Sequence, residues 1–266
     1  MTIWLPDPVP VLSGAYGRLI RADWPADVDL SPLADRELSP AERESAIAGW
    51  TGRLNGEYVA AAHFSQLASA LLVAGVPIEI SACMSRIVGD ELRHAELCAR
   101  VVRHLGGEPC YRWEQSPLLD FGDAEPLQAI FRHVLGLACL SETVSLAILD
   151  RNLAAADEPI ADVLRRIRAD EAFHAEAGWA VATLVAEWLP EGAVIAEIPR
   201  AIRALDDEFL RPVPGDARTT PALESLGSLA AEAYASVVDV AKAAAIARLA
   251  ALPGAHGAEP ARASTA

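Results

Sequence analysis

One sequence pattern occurs twice in the chain, Asp-Glu-x-x-His-Ala-Glu, first at 90–96 and again at 170–176. On an α-helix the carboxylate and the imidazole of a Glu-x-x-His unit lie on one side, about 60° apart around the axis. Two such helices that face each other could hold two metal ions between them. The repeat therefore constrains the fold more than any other feature, because the two helices must pack side by side for its residues to act together.

Turn and capping signals divide the middle of the chain into helices. Ser39-Pro40-Ala41-Glu42 is a capping box with proline at the first helical position, which predicts a helix start. Glycine and proline then separate four predicted helices of roughly 30 residues each. They are expected over 40–75, 77–106, 126–156 and 157–190. Short turns within each pair and a link of about 17 residues between the pairs are typical of a four-helix bundle with one long crossover.

The segments on either side differ from this bundle, which we assign to residues 39–190. Residues 1–38 are rich in proline, show no sustained periodicity and predict an irregular N-terminal arm. Residues 191–252 predict a C-terminal helical extension, with a short helix at 194–205 and a longer one at 221–252. Residues 253–266 are expected to be disordered. The predicted fold class is all-α.

Each predicted bundle helix carries one glutamate on its apolar face. On the second helix, Ile87, Glu91, His94 and Cys98 follow the spacing of a buried helical stripe. On the other three helices, the same spacing places an inward glutamate within an apolar stripe. These residues are Glu57 on the first helix, Glu142 on the third, and Glu171 with His174 on the fourth. At 1.5 Å per residue, Glu57 and Glu91 lie roughly 28 and 23 Å from the turn near residue 76. Glu142 and Glu171 lie roughly 22 and 21 Å from the turn near residue 157. Four glutamates and two histidines should therefore meet inside the bundle.

Burying these side chains requires compensation of their charge. Each carboxylate taken out of water costs several kcal/mol, and four together repel one another. Two divalent cations would balance four carboxylates and two neutral imidazoles. Oxygen and imidazole ligands suit iron or manganese, with zinc as a further alternative. A single Glu-x-x-His unit would more often be an exposed polar pair, so the prediction depends on the repeat and on the two additional glutamates.

Composition excludes several other classes of protein. The formal net charge of −15 argues against nucleic-acid binding, because basic surface is scarce. No uninterrupted apolar run reaches 18 residues and the N-terminus has no basic flank, so we expect no membrane span, no signal peptide and a cytoplasmic protein. The four cysteines form no Cys-x-x-Cys unit, which argues against a zinc ribbon or a rubredoxin-type centre.

The order Glu, Glu-x-x-His, Glu, Glu-x-x-His on four successive helices resembles the ferritin-like di-iron carboxylate superfamily. The resemblance covers about residues 40–190. It implies that two iron ions, or manganese or a mixed iron and manganese pair, are bound by a set of six side chains: Glu57, Glu91, His94, Glu142, Glu171 and His174. Which glutamates bridge the two ions is left open.

The first copy of the repeat also resembles the Asp-Glu-x-Arg-His unit of bacterial multicomponent monooxygenases. In that unit the aspartate hydrogen-bonds the histidine of the opposite helix. The resemblance therefore implies that Asp90 supports His174 and that Asp170 supports His94, and such support would fix the imidazole tautomer. Phe173 stands where the second copy would need an arginine, and the alternative for both aspartates is an ordinary exposed position.

The resemblance implies a non-haem di-iron protein that activates O₂ to oxidise or hydroxylate a small organic substrate. Its partners would be O₂, a small-molecule substrate and an external electron donor, and it could form a homodimer. Small residues near the predicted ligands, such as Ala138 and Gly178, would leave a substrate cavity or allow close helix packing. One alternative is a ferroxidase or iron-handling protein without an organic substrate. A second is a helical interaction protein with a structural metal.

Related classes lack their own markers in this sequence. A ribonucleotide reductase small subunit would carry a radical tyrosine where Cys98 stands. The arylamine N-oxygenases add a third histidine at the position of Ile167. The sequence names neither the substrate, the electron donor, the oligomeric state nor the role of the C-terminal extension.

Overall fold

The structure, a computed structural model, describes residues 2–4, 28–112, 119, 125–209 and 219–255. These residues form helices α1 (Pro40–Val73), α2 (Ile78–His104), α3 (Pro126–His133), a π-helix (Val134–Ser141), α4 (Glu142–Leu153), α5 (Ile160–Trp188), α6 (Ala193–Phe209), α7 (Pro221–Ser225) and α8 (Ala231–Leu249). A 3-10 helix at Ser31–Leu33 and one antiparallel pair of short strands, β1 (Thr2–Trp4) and β2 (Cys110–Arg112), accompany them. The regular structure of the described residues is therefore helical apart from this strand pair and consists mainly of α-helices.

The capping box predicted for α1 is present. The Ser39 backbone N–H donates to Glu42 Oε2 over 3.0 Å, and the Glu42 backbone N–H donates to Ser39 Oγ over 3.3 Å. Gly75, with φ +72°, ends the turn after α1, and the chain returns as α2, which packs along α1. In the second half α5 packs against α4 and the π-helix, and it also contacts α2. The two helices that carry the repeat are therefore neighbours.

The third predicted helix is not a regular α-helix. Between α3 and α4 the chain winds as a π-helix, whose wider turn uses i to i+5 hydrogen bonds. By length and composition, Pro126–Leu153 is also apolar enough to cross a membrane, and it is the one helix among the described residues that meets this test. More than half of its apolar stretch is buried inside the protein. A core helix passes the same test, so this is weak evidence for a membrane span.

The single C-terminal helix predicted over 221–252 was wrong. Two helices, α7 and α8, occupy this stretch, separated by a turn in which Gly227 adopts φ +80°. The turn docks on α1, where Trp50 Nε1 donates to the Leu226 carbonyl over 2.9 Å. A continuous helix could not make this contact and also lay α8 against α4, as observed. The helix predicted at 194–205 corresponds to α6.

Two predicted regions lie largely outside the described residues. The structure describes only 2–4 and 28–38 of the predicted irregular arm at 1–38. Of the tail predicted to be disordered, it describes only 253–255, and Ala255 is buried against the core. The predicted domain boundaries stay predictions.

The apolar core consists of two clusters separated by a polar layer. Along α1 one cluster ends at Leu54 and the other begins at Phe64. The same change occurs between Ile87 and Ala95 on α2, and between Ile167 and Ala177 on α5. The predicted ligands of these three helices all fall within the gaps. Apolar side chains therefore cover the polar layer both above and below.

Candidate metal centre

The structure brings all six predicted ligand side chains together. They form two overlapping groups, in each of which the ligand atoms lie within 4.8 Å of one another. One group is Glu57, Glu91, His94 and Glu171, and the other is Glu91, Glu142, Glu171 and His174. Glu57 is the most exposed member, with 12% of its side chain accessible, whereas both histidines are fully buried. The buried Glu and His groups could hold a metal ion.

Each histidine directs Nδ1 into the cluster. His94 Nδ1 lies 3.4–3.6 Å from three carboxylate oxygens, one each from Glu57, Glu91 and Glu171. His174 Nδ1 lies 3.2–3.8 Å from oxygens of Glu91, Glu142 and Glu171. One nitrogen among three carboxylates is a suitable ligand set for a divalent transition metal, and it occurs twice.

Glu91 and Glu171 belong to both groups, whereas Glu57 and Glu142 belong to one each. The two oxygens of Glu171 point in different directions, Oε1 towards His94 and Oε2 towards His174. Glu91 does the same, with Oε2 near His94 and Oε1 near His174. If ions occupied both groups, Glu91 and Glu171 would therefore be the glutamates shared by the two ions. The sequence had left open which glutamates have this role.

Several buried atoms at the centre have no hydrogen-bond partner. They are Nδ1 of His94 and of His174, and Oε2 of Glu91 and of Glu171. Buried polar atoms are almost always satisfied in folded proteins, and leaving one without a partner costs about 1–3 kcal/mol. All four atoms face the interior of the cluster, so a cation there would satisfy them together. The residues therefore fit a bound metal.

The outer nitrogen of each histidine faces an aspartate of the opposite helix. His94 Nε2 lies 3.3 Å from Asp170 Oδ2, and His174 Nε2 lies 3.3 Å from Asp90 Oδ2. An imidazole that donates from Nε2 to a carboxylate keeps the lone pair of Nδ1 for a metal. Each pair thus joins α2 to α5 and orients its ring.

The two aspartates have different surroundings. Asp90 is fully buried and is paired with Arg93, and Arg86 Nε lies 3.4 Å from its Oδ2. Asp170 has 19% of its side chain exposed. Burial acts to raise the pKa of Asp170, but the hydrogen bond from His94 outweighs it and holds the pKa below its ordinary value. Phe173, which replaces the arginine in the second copy, instead stacks under the Arg86 guanidinium at 4.6 Å.

The cluster also has a defined protonation pattern without metal. Burial raises the pKa of Glu57 to about 8, and burial together with the charge of Glu171 raises the pKa of Glu142 well above its ordinary value. Burial opposes ionisation of Glu91 and Glu171 too, but the neighbouring histidines and, for Glu171, the Glu142 carboxyl outweigh it and hold both pKa values below the ordinary value. These directions favour the protonated form of Glu57 and Glu142 and the ionised form of Glu91 and Glu171.

The histidines complete this balance. Burial acts to lower the pKa of His94 and of His174, but the surrounding carboxylates outweigh it and raise both pKa values well above the ordinary value. Two imidazolium ions then offset two carboxylates. Protons therefore neutralise the metal-free cluster, where two divalent cations would neutralise the loaded one.

Substitution of Asp170 by asparagine should weaken metal binding by roughly 10–100-fold, because the His94 ring loses the carboxylate that orients it. Competition with a chromophoric chelator would measure the change. Asp239→Asn, at an exposed position on α8, is the matched control and should leave affinity unchanged. Equal affinity in the two variants would show that the Asp170 contact does not support the ligand.

The sequence did not indicate how closely α5 approaches the π-helix. A Cβ atom added at Gly178 would lie 2.0 Å from the carbonyl oxygen of Ala138. Of the two explanations for the small residues, close helix packing therefore holds at this position. One sequence signal of this close approach was available. The second repeat has Gly178 at the position where the first repeat has Cys98.

No protein-family model matches this chain, and comparisons with curated proteins and with solved structures also find no match. The assignment of the site therefore depends on the residues and their geometry alone.

Proposed function

We propose that this protein is a ferritin-like, non-haem di-iron protein that activates O₂ to oxidise or hydroxylate a small organic substrate. The observation that carries the proposal is the buried cluster of four glutamates and two histidines, with both Nδ1 atoms turned inwards and without hydrogen-bond partners. The two Glu-x-x-His helices, each preceded by a helix with one inward glutamate, support the ferritin-like bundle.

In this proposal, Glu57 with His94 would hold one iron ion, Glu142 with His174 would hold the other, and Glu91 and Glu171 would contribute to both positions. Bound ferrous iron would supply the electrons that reduce O₂. The apolar clusters on either side exclude water from the centre, and the aspartates keep each imidazole in position. Turnover would need an external electron donor to restore the ferrous state.

The nearby thiols are not part of this ligand set. Burial raises the pKa of Cys98 and of Cys139, so both thiols stay protonated at neutral pH. Both ligand groups contain only carboxylate and imidazole side chains, which favour iron or manganese over a thiolate-selecting metal.

The test is to load the protein anaerobically with Fe(II) and expose it to O₂. We expect O₂ consumption in proportion to bound iron, with a change in near-ultraviolet and visible absorbance. Zn(II)-loaded protein is the control, because zinc has no redox chemistry and should give neither signal. O₂ consumption no faster than that of the same iron free in buffer would contradict the proposal.

The same experiment distinguishes the alternatives. A ferroxidase would continue to take up and oxidise iron beyond two ions per chain. A structural metal would give no reaction with O₂, and chelation would unfold the protein. A reaction that ends at two ions per chain supports an oxidase or oxygenase, and products from added organic substrates would then identify the reaction.

A further inference from the structure

The π-helix at Val134–Ser141 ends at the residue before Glu142 and therefore controls the direction of that glutamate. One position on an α-helix corresponds to about 100° of rotation, so a change in winding here would turn Glu142 away from the cluster. The first half of the chain has no such irregularity around its own glutamate, because α1 continues as an α-helix through Glu57. The two halves therefore aim equivalent ligands in different ways.

Gly178 on α5 allows the π-helix to come close. A Cβ atom at this position would lie 2.0 Å from the oxygen of Ala138, 2.5 Å from its carbonyl carbon and 2.9 Å from its Cβ. Two of these three atoms are backbone, so rotation of a side chain could not relieve the contact. At this point α5 and the π-helix meet backbone to backbone, and only glycine fits.

A hydrogen-bonded chain beside Gly178 ties the same two elements together. Trp179, buried on α5, donates from Nε1 to Thr143 Oγ1 over 3.2 Å. Thr143 in turn donates from Oγ1 to the carbonyl oxygen of Cys139, inside the π-helix, over 2.5 Å. Two of these residues, Cys139 and Thr143, lie before and after Glu142 in the chain. The hydrogen bond from Thr143 also satisfies a carbonyl group of the π-helix.

We infer that Gly178, together with the Trp179–Thr143 hydrogen bond, positions Glu142 by holding the π-helix against α5. The inference rests on the proposed metal function. These positioning residues are needed for the metal position formed by Glu91, Glu142, Glu171 and His174. The position that contains Glu57 and His94 does not use Glu142, and three of its four ligands lie on α1 and α2.

The decisive experiment counts metal ions in Gly178→Ala after anaerobic dialysis against Fe(II) or Co(II). Wild type should bind two ions per chain and Gly178→Ala about one. Gly136→Ala is the matched control, because it lies in the π-helix itself and its added Cβ would meet its nearest atoms at 4.0 Å. That variant should bind two ions, and circular dichroism should show equal helix content in all three proteins.

A second pair of variants keeps the inference testable if Gly178→Ala does not fold. Thr143→Val removes the hydroxyl at constant size and should weaken binding of the ion held by Glu142 and His174 about tenfold. Thr143→Ser keeps the hydroxyl and should bind this ion with wild-type affinity. The inference would be overturned if Gly178→Ala bound two ions with wild-type affinities or lost both ions equally. It would also be overturned if Thr143→Val and Thr143→Ser bound metal with identical affinities. Absence of metal from wild type would instead overturn the proposed function.

Discussion

Replacement of Glu171 by alanine is expected to abolish binding of both metal ions. Glu171 belongs to both ligand groups, with Oε1 3.4 Å from His94 Nδ1 and Oε2 3.3 Å from His174 Nδ1. Its removal takes one ligand from each position and one of the four negative charges that offset the cations. Elemental analysis after dialysis against excess Fe(II) would measure the loss.

Two further variants make this result specific. Glu176→Ala changes a glutamate on the same helix whose side chain is 77% exposed, and it should retain two ions. Glu57 belongs to one group only, so Glu57→Ala should retain about one ion. Retention of both ions in folded Glu171→Ala protein would show that the cluster is not the binding site.

The second large effect is on protons: at pH 7, loading with two divalent ions should release about four of them. Glu57 and Glu142 are protonated in the metal-free cluster because burial raises their pKa values, to about 8 for Glu57. The two histidines are protonated because the surrounding carboxylates outweigh their burial and raise the pKa of each. All four groups must lose a proton to act as ligands.

Lower pH favours the protonated, metal-free cluster, so affinity should fall as pH falls through the raised pKa of Glu57, about 8, and should continue to fall below it. With about four protons released, the product of the two binding constants should drop by up to about 10⁴ per pH unit, or about 5 kcal/mol. Calorimetry in buffers of different ionisation enthalpy would count the protons. Release of fewer than about one proton would contradict the protonation pattern.

The side chains that meet in the cluster could be predicted from sequence because helical periodicity is a local property. The positions of Glu91 and His94 within an apolar stripe and the capping box at Ser39 each depend on a few neighbouring residues. The sharing of Glu91 and Glu171 could not be predicted, since it depends on how closely α2 approaches α5. That distance is set by packing across the whole bundle.

The π-helix was missed for a related reason. Its sequence, Val-Leu-Gly-Leu-Ala-Cys-Leu-Ser, has no charge or proline that would interrupt a regular helix. The irregular winding instead accompanies a contact with Gly178, which is distant in sequence. The break between α7 and α8 was missed for the same reason. The turn that contains Gly227 docks on α1 through the hydrogen bond from Trp50 to the Leu226 carbonyl. Tertiary contacts decided both features, and local patterns do not record them.

The central claim is that this protein holds two metal ions in the six-residue cluster, with Glu91 and Glu171 contributing to both positions. Diffraction from crystals of the Fe(II)-loaded protein, measured on both sides of the iron absorption edge, would test it most directly. We expect two anomalous peaks about 3.5–4 Å apart within the six-residue cluster, as in other two-metal sites. A single peak, no peak at the cluster, or iron bound by other residues would contradict the claim.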